Sequence, residues 1–395
     1  MATKRRSLPL VRPRRTAPGA VPGTVTIDPE ASPSRIRVIT YNAEVAEEHA
    51  VAEVEALAAL RRPDRVVWVA VAGLGDARVL EGLARLFGLH PLAMEDVVNL
   101  HQRPKVEPYA DHLYCVMRMP DLERGQLGLQ QVSLFLGPGF VITFQERPDD
   151  ALDPVRRRLL QSAPGRLRRS GADYLAYAVL DTIVDRYFPV LHTFGERLEG
   201  LEDRVLDVAR ADLVPHIHPL RRDLLLLRRS VWPLGEAIAR LLREGDEADF
   251  ISDAIRPYLR DLQDHASQLK EGVDLCIAMV EGLMEAYRSA VNLRANEVMR
   301  VLTIFAAVFM PLSFIAGLYG MNFNTQASHL NMPELNWPYG YPLVLAVMAA
   351  TAAGMLRYFR RKGWLGRPPR VEGLPARDFG EPPFPDVEGD SDEGA

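Results

Sequence analysis

The feature that most constrains this chain is an apolar run that begins at Val301 and ends at Gly320-Met321-Asn322. Between Val301 and Pro333 there is no Asp, Glu, Lys or Arg, and the first part reads VLTIFAAVFMPLSFIAGLYGMN. A charge-free run of about twenty residues is long enough to cross the hydrocarbon core of a bilayer as a helix. The segment Leu283–Arg300 leads into it without Pro or Gly, Pro311 is placed to kink it, and it ends at Gly317 and Gly320, where helix breakers cluster.

A second apolar segment, Tyr339–Leu356, is about eighteen residues long and free of charge, with Trp337 and Tyr339 as interfacial anchors. It stops at Arg357, Arg360, Arg361 and Lys362, followed by Arg367 and Arg370. Between the two runs only Glu334 carries a formal charge. The positive-inside rule then puts Arg300 and the basic cluster in the cytoplasm and the short loop outside. The expectation is a multi-pass cell-membrane protein with both termini cytoplasmic. Two adjacent charge-free runs followed by a basic cluster argue against a buried hairpin in a soluble protein.

The rest of the chain is folded by composition, with 48% hydrophobic and 25% charged residues. Its net charge of −5 is unevenly spread. Residues 1–34 open with Lys4, Arg5, Arg6, Arg12, Arg14 and Arg15, whereas 371–395 are acidic, and both read as disordered tails. The N-terminus lacks the apolar core of a signal peptide. Two distant cysteines, Cys115 and Cys276, indicate neither a disulfide framework nor a Cys-type zinc site.

Residues 35–170 read as an α/β domain. RIRVITYN from Arg35 and RVVWVAVAG from Arg65 look like strands, separated by an Ala/Glu-rich helix over Glu44–Leu60. A helix over Ala77–Phe87 follows, then strands near Leu113–Met119 and Val132–Phe144, the latter folded at Gly137-Pro138-Gly139. Strand signals vanish in 171–300, a helical stalk region with long helices over Asp173–Leu206 and Asp212–Arg243. Another starts near Ser252. Along it Ile255, Leu259, Leu262, Ala266, Leu269, Val273, Cys276, Val280, Leu283, Tyr287 and Ala290 alternate in steps of four and three, a coiled-coil seam. Continued through the first span, 301–320, this helix is a rod of roughly 100 Å. An outer loop (321–338), the second span (339–356) and the basic cluster (357–370) complete an α+β membrane protein.

On the first span, Asn296, Met299, Thr303, Ala306, Met310, Ser313 and Gly317 recur at helical spacing and are small, polar or thioether-bearing. Such a stripe suits either helix–helix packing or a pore wall. Two spans per chain cannot enclose a pore, so the pore reading requires a homo-oligomer. The stripe carries no charge, which suits an ion passed in hydrated form: magnesium sheds water reluctantly, and neutral oxygens can hold it through that water. Asn322 at the outer mouth and Asn296 at the inner end fit this chemistry, with Met299 and Leu302 as an apolar constriction.

Tyr319-Gly320-Met321-Asn322-Phe323, followed by Met332-Pro333-Glu334-Leu335, resembles the signature of the CorA family of magnesium channels. So do ANEVMRVLTIFAAVFMPLSFIAGLYGMNF, the soluble stretch HPLAMEDVVNLHQRPKVE and the terminal RYFRRKGWL, a resemblance covering roughly residues 35 to 365. It implies a homopentamer in the bilayer, with a cytoplasmic α/β domain and a stalk helix continuous with the pore-lining span. The selectivity filter falls on Gly320, Met321 and Asn322. Pore-lining positions fall on Asn296, Met299, Leu302, Met310 and Ser313, the last more often Thr in the family. Regulatory acids that bind cytoplasmic Mg2+ between subunits map onto Glu95, Asp96 and Asp261, and Glu334 lies in the outer loop. The link from Asn324 to Asn331 is longer than the family pattern and adds His329 near the mouth.

The expected function is channel-type uptake of hydrated divalent cations, chiefly Mg2+ with Co2+ and Ni2+ as further ions. The membrane potential drives it, and cytoplasmic Mg2+ closes it. The alternatives are a zinc transporter on the same scaffold, proton-coupled, and a membrane-anchored sensor or enzyme. No P-loop and no nucleophile–base arrangement supports an enzyme, and neither an organic cofactor nor a nucleic-acid partner is expected.

Overall fold

The computed structural model describes residues 19–365 except 20, 52, 101, 124, 150, 162–164, 208–213, 248–249, 322–323, 325–329 and 333–336. Residues 1–18 of the basic tail, the acidic tail 371–395, Asn322, Glu334 and His329 therefore lie outside the described residues. The later part of the stretch expected as an N-terminal tail is described, with Val25 and Ile27 packed against the core and Gly23 N–H donating to Glu95 Oε2 at 2.8 Å. The chain divides into two compact units, 1–199 with 214–281 and 200–213 with 282–395.

The first unit is built on a seven-stranded sheet: β1 (Arg35–Tyr41), β2 (Ala46–Ala50), β3 (Val66–Ala72), β4 (Lys105–Tyr109), β5 (His112–Glu123), β6 (Gln126–Gly137) and β7 (Phe140–Gln145). Their order is β2-β1-β3-β7-β6-β5-β4. β3 and β7 run parallel; the other pairs are antiparallel. One face packs helices α1 (Ala77–Phe87) and α2 (Pro91–Val98) over Val69, Val71, Tyr114, Phe135 and Phe144. On the other, Trp68 is buried and donates its indole N–H to Thr143 Oγ1 at 3.1 Å.

Helices α3 (Asp153–Leu160) and α4 (Arg166–Arg169) lead to α5 (Ala172–Asp185), α6 (Tyr187–Asp207) and α7 (Val214–Glu247). Tyr187 Oη donates to Arg118 O at 2.5 Å, and Tyr41 Oη to Gly171 O at 3.3 Å, fastening helix starts to strands.

The helix expected over Glu44–Leu60 is absent. Asn42 Oδ1 accepts the N–H groups of Glu44 and Val45 at 3.0 and 2.9 Å, a turn that folds the chain back as edge strand β2. Only Val54–Leu60 is helical, as a 3-10 segment. Pairing with β1 has overridden the helix propensity of the Ala/Glu composition.

Helix α8 runs without a break from Arg256 to Tyr319, with Pro311 inside it. Its seam is buried at every predicted position from Ile255 to Leu283. The cover comes from the chain's own helices rather than from a coiled-coil partner. Tyr258 packs on Tyr174 and Tyr177 of α5, a Cβ at Gly272 would meet Leu191 of α6, and Arg228 of α7 pairs with Asp274 at 3.1 Å. Beyond Leu283 the seam is no longer buried. In the second unit, the apolar windows of α8 and α9 (Gly340–Arg361) have mean hydropathies of 2.3 and 1.5, and are 0% and 6% buried. Length and composition allow both to cross a membrane.

Phe135 is fully buried between His112, Tyr114 and Phe144. Phe135→Ala is expected to destabilise the sheet by about 3–5 kcal/mol, the usual range for such a deletion. Denaturant unfolding should show a lower midpoint at unchanged slope.

Candidate divalent-cation sites

The stripe residues Asn296, Met299, Leu302, Met310 and Ser313 all lie on α8. Met299, Leu302 and Met310 are 60%, 60% and 70% exposed in the single chain, an apolar face of the kind that marks an interaction surface. Thr303 turns its hydroxyl back onto Met299 O at 2.8 Å, as a hydroxyl in a dry helix does when it has no other acceptor. Phe305 and Phe309 stack at 4.4 Å. Pro311 lacks the N–H that would reach the Ala307 carbonyl, leaving that oxygen without its helical partner. The helix ends where Gly320 N–H donates to Ala316 O at 2.9 Å and Met321 N–H to Leu318 O at 3.3 Å. Of the expected filter, Gly320 and Met321 follow this last turn, and Asn322 lies outside the described residues, as does Glu334 of the outer loop.

Glu95 and Asp96 sit on α2, whose first turn is set by Pro91 and capped by His90 Nδ1, which accepts Leu92 N–H at 3.2 Å. Both acids have partners within the chain. Glu95 Oε2 accepts Gly23 N–H at 2.8 Å. Asp96 accepts Gln102 Nε2 at 2.8 Å and pairs with Lys105 Nζ at 2.5 Å. Lys105 also reaches Glu107 at 2.6 Å. Asp261 stands on α8, its side chain 63% exposed, 3.9 Å from His265 Nε2 one turn on.

Among the described residues, one group of three metal-type side chains converges, and it is not Glu95, Asp96 and Asp261. It is Asp181, Asp185 and His265, whose ligand atoms lie within 4.8 Å of one another. Burial, and then the neighbouring Asp185, hold the Asp181 carboxyl above the usual carboxylate range. Burial followed by Asp181 pushes the Tyr177 phenol up, and Asp261 adds to it, so Tyr177, Asp181 and Asp261 share one electrostatic neighbourhood. His265 Nδ1 is buried without a hydrogen-bond partner, and its ring meets Phe188 edge-on at 5.9 Å. Two carboxylates and an imidazole suit a divalent cation: oxygens for Mg2+, the nitrogen for Co2+, Ni2+ or Zn2+.

His265 was missed from the sequence, although the signal was there. Asp181 and Asp185 are i,i+4 on one helix, Asp261 and His265 i,i+4 on another, so each pair shares a helix face.

The architecture is an α/β and helical unit followed by two helices long and apolar enough to cross a membrane, the first of them continuous with the last helix of that unit. The profile of the family described as CorA-like Mg2+ transporter protein matches residues 63–361. The chain is 40% identical over 332 residues to the cobalt/magnesium transport protein CorA of Thermotoga maritima, covering 84% of this chain and 92% of that one. It is 23% identical over 301 residues to the protein of that description from Methanocaldococcus jannaschii, covering 76% and 92%. The complete structure of the M. jannaschii CorA magnesium transporter superposes with a TM-score of 0.70 at 21% identity, over 83% of this chain and 98% of that one. This chain belongs to the CorA-like Mg2+ transporter family, a family of transporters rather than enzymes.

Since burial and Asp185 make ionised Asp181 costly, Asp181→Asn is expected to stabilise the metal-free protein at neutral pH. The same variant is expected to lose any stabilisation by Co2+. Thermal unfolding in chelator and in Co2+ checks both directions.

Proposed function

We propose that this chain assembles as a homopentameric channel for hydrated divalent cations, chiefly Mg2+, with Co2+ and Ni2+ as further ions. The observation that carries the reading is the continuity of α8: Asp261 and His265 lie on the same unbroken helix as Asn296, Met299, Met310 and Ser313. In this reading Gly320, Met321 and Asn322 form the outer filter. Asn296 and Ser313 offer oxygens to the ion's water shell, and Met299 and Leu302 form an apolar gate able to close by dewetting.

An inside-negative potential favours entry by about 2.3 kcal/mol per elementary charge per 100 mV, hence about 4.6 for a divalent ion. Cytoplasmic Mg2+ closes the channel by bridging subunits between Glu95 or Asp96 and Asp261. Asp181, Asp185 and His265 add a second regulatory position beside Asp261. Lys105, which pairs with Asp96 at 2.5 Å, gives up that contact when Asp96 takes a cation. Both termini and the α/β unit are cytoplasmic, with 321–338 outside.

The imidazole of His265 favours the second reading in one respect, since nitrogen donors suit zinc better than magnesium. Fluxes of Mg2+ and Zn2+ into liposomes, with and without a pH gradient, separate the two. Zinc flux that follows the proton gradient, with no magnesium flux, would replace the magnesium reading by a zinc transporter.

Asn322→Ala is expected to abolish Mg2+ uptake while leaving the oligomer intact in size-exclusion chromatography; unchanged uptake would instead support a membrane-anchored sensor. Asp261→Lys is expected to weaken protection from protease by Mg2+, with uptake persisting at Mg2+ concentrations that silence the wild type. Undiminished protection would remove Asp261 from the regulatory site.

A further inference from the structure

The C-terminal end of α9 carries a surface that the channel reading does not use. Arg357, Arg360, Arg361 and Lys362 are exposed, and no acid occurs from Tyr339 to Leu365. Among the described residues none of these four cations is paired with a carboxylate. They begin one residue after the charge-free segment ends at Leu356.

The chain is then turned back sharply. Gly363 adopts a left-handed φ of 75°, Gly363 N–H donates to Arg360 O at 3.1 Å, and Trp364 N–H to Phe359 O at 2.9 Å. This cap is one that glycine tolerates and other residues resist. Its result is that Trp364 stacks on Phe359, centroids 5.5 Å apart and planes 20° apart. A paired aromatic patch thus sits among four exposed cations at the end of a candidate span.

We propose that this surface binds the headgroups of anionic phospholipids. Charge complementarity selects the ligand, because guanidinium groups present fixed pairs of N–H donors that match a phosphodiester. Position selects the source: cations within a turn of the apolar window stand at headgroup depth, and Trp prefers that interfacial layer. A competing occupant is the acidic segment 371–395 of this same chain. It is tethered close by, but a lipid surface presents many anions at the depth where the cations stand. The inference rests on α9 crossing the membrane with this end at the cytoplasmic face.

The test uses the full-length protein in mixed micelles of phosphatidylglycerol and phosphatidylcholine, with bound lipid counted by native mass spectrometry. The wild type is expected to retain phosphatidylglycerol preferentially. Arg360→Gln/Arg361→Gln/Lys362→Gln is expected to lower that preference on the order of tenfold or more. Trp364→Ala, which keeps all four cations, is expected to lower retention of both lipids. A chain ending at Arg370 should keep the wild-type preference; a preference that appears only after this truncation assigns the surface to the acidic tail and overturns the proposal. Equal retention of the two lipids by wild type and triple variant also overturns it. Cation uptake in vesicles of phosphatidylcholine alone keeps the two readings apart. Uptake there, with no lipid preference, removes this inference only, whereas no uptake in any lipid removes the channel reading.

Discussion

The two candidate spans answer to one constraint: inside a bilayer no water satisfies the backbone, so a spanning segment must bond its N–H and C=O groups internally. α8 meets this by remaining helical through its apolar window, save at the Ala307 carbonyl, whose helical donor Pro311 removes. The constraint also explains the side chains. Thr303 returns its hydroxyl to Met299 O, and bulky Phe305, Phe309 and Phe314 lie exposed in the single chain, where only lipid or neighbouring copies can cover them.

The burial of α8 changes character along its length. From Ile255 to Val280 the four-and-three pattern is buried, and positions beside it, Tyr258, Gly272 and Asp274, meet the chain's own α5, α6 and α7. The heptad arithmetic was legible in the sequence; the identity of the partner was not, because the same spacing serves any helix that offers a groove. The α1 boundaries and the first strands were equally legible, their periodicity being unbroken. β2 was not, since AEEHA has no strand character of its own and exists through pairing with β1 and the Asn42 turn. The first half of β6 was hidden for another reason: Gln130 and Gln131 are buried polar residues whose side chains bond to Asp149 and to Gln102 N–H, outside the strand, which interrupts the apolar alternation.

The candidate sites divide along the same line. The stripe on α8 and the acids of α2 could be read as local patterns. Glu95 and Asp96 prove to be engaged within the chain, by Gly23, Gln102 and Lys105, ties between residues that sequence spacing does not announce. The group of Asp181, Asp185 and His265 needs two helices brought together, and its local signal, two i,i+4 pairs, is common on solvated faces. What raises it above that background is the cost borne by the fold: a carboxyl held above its usual range and a buried ring nitrogen without a partner.

The strand order has a consequence for how the molecule is made. β3 ends at Ala72 but pairs in parallel with β7, which begins only at Phe140. The three N-terminal strands, with β1 between β2 and β3, and the later β4–β7 meander are each assembled from strands close in sequence, whereas joining them requires closing a long loop and is expected to be the slow step. All seven strands have been synthesised by Gln145, well before Val301 opens the first apolar run. The sheet is thus expected to form on the ribosome while the hydrophobic segments are still unmade, so that its large apolar faces are buried before any segment needing a bilayer emerges.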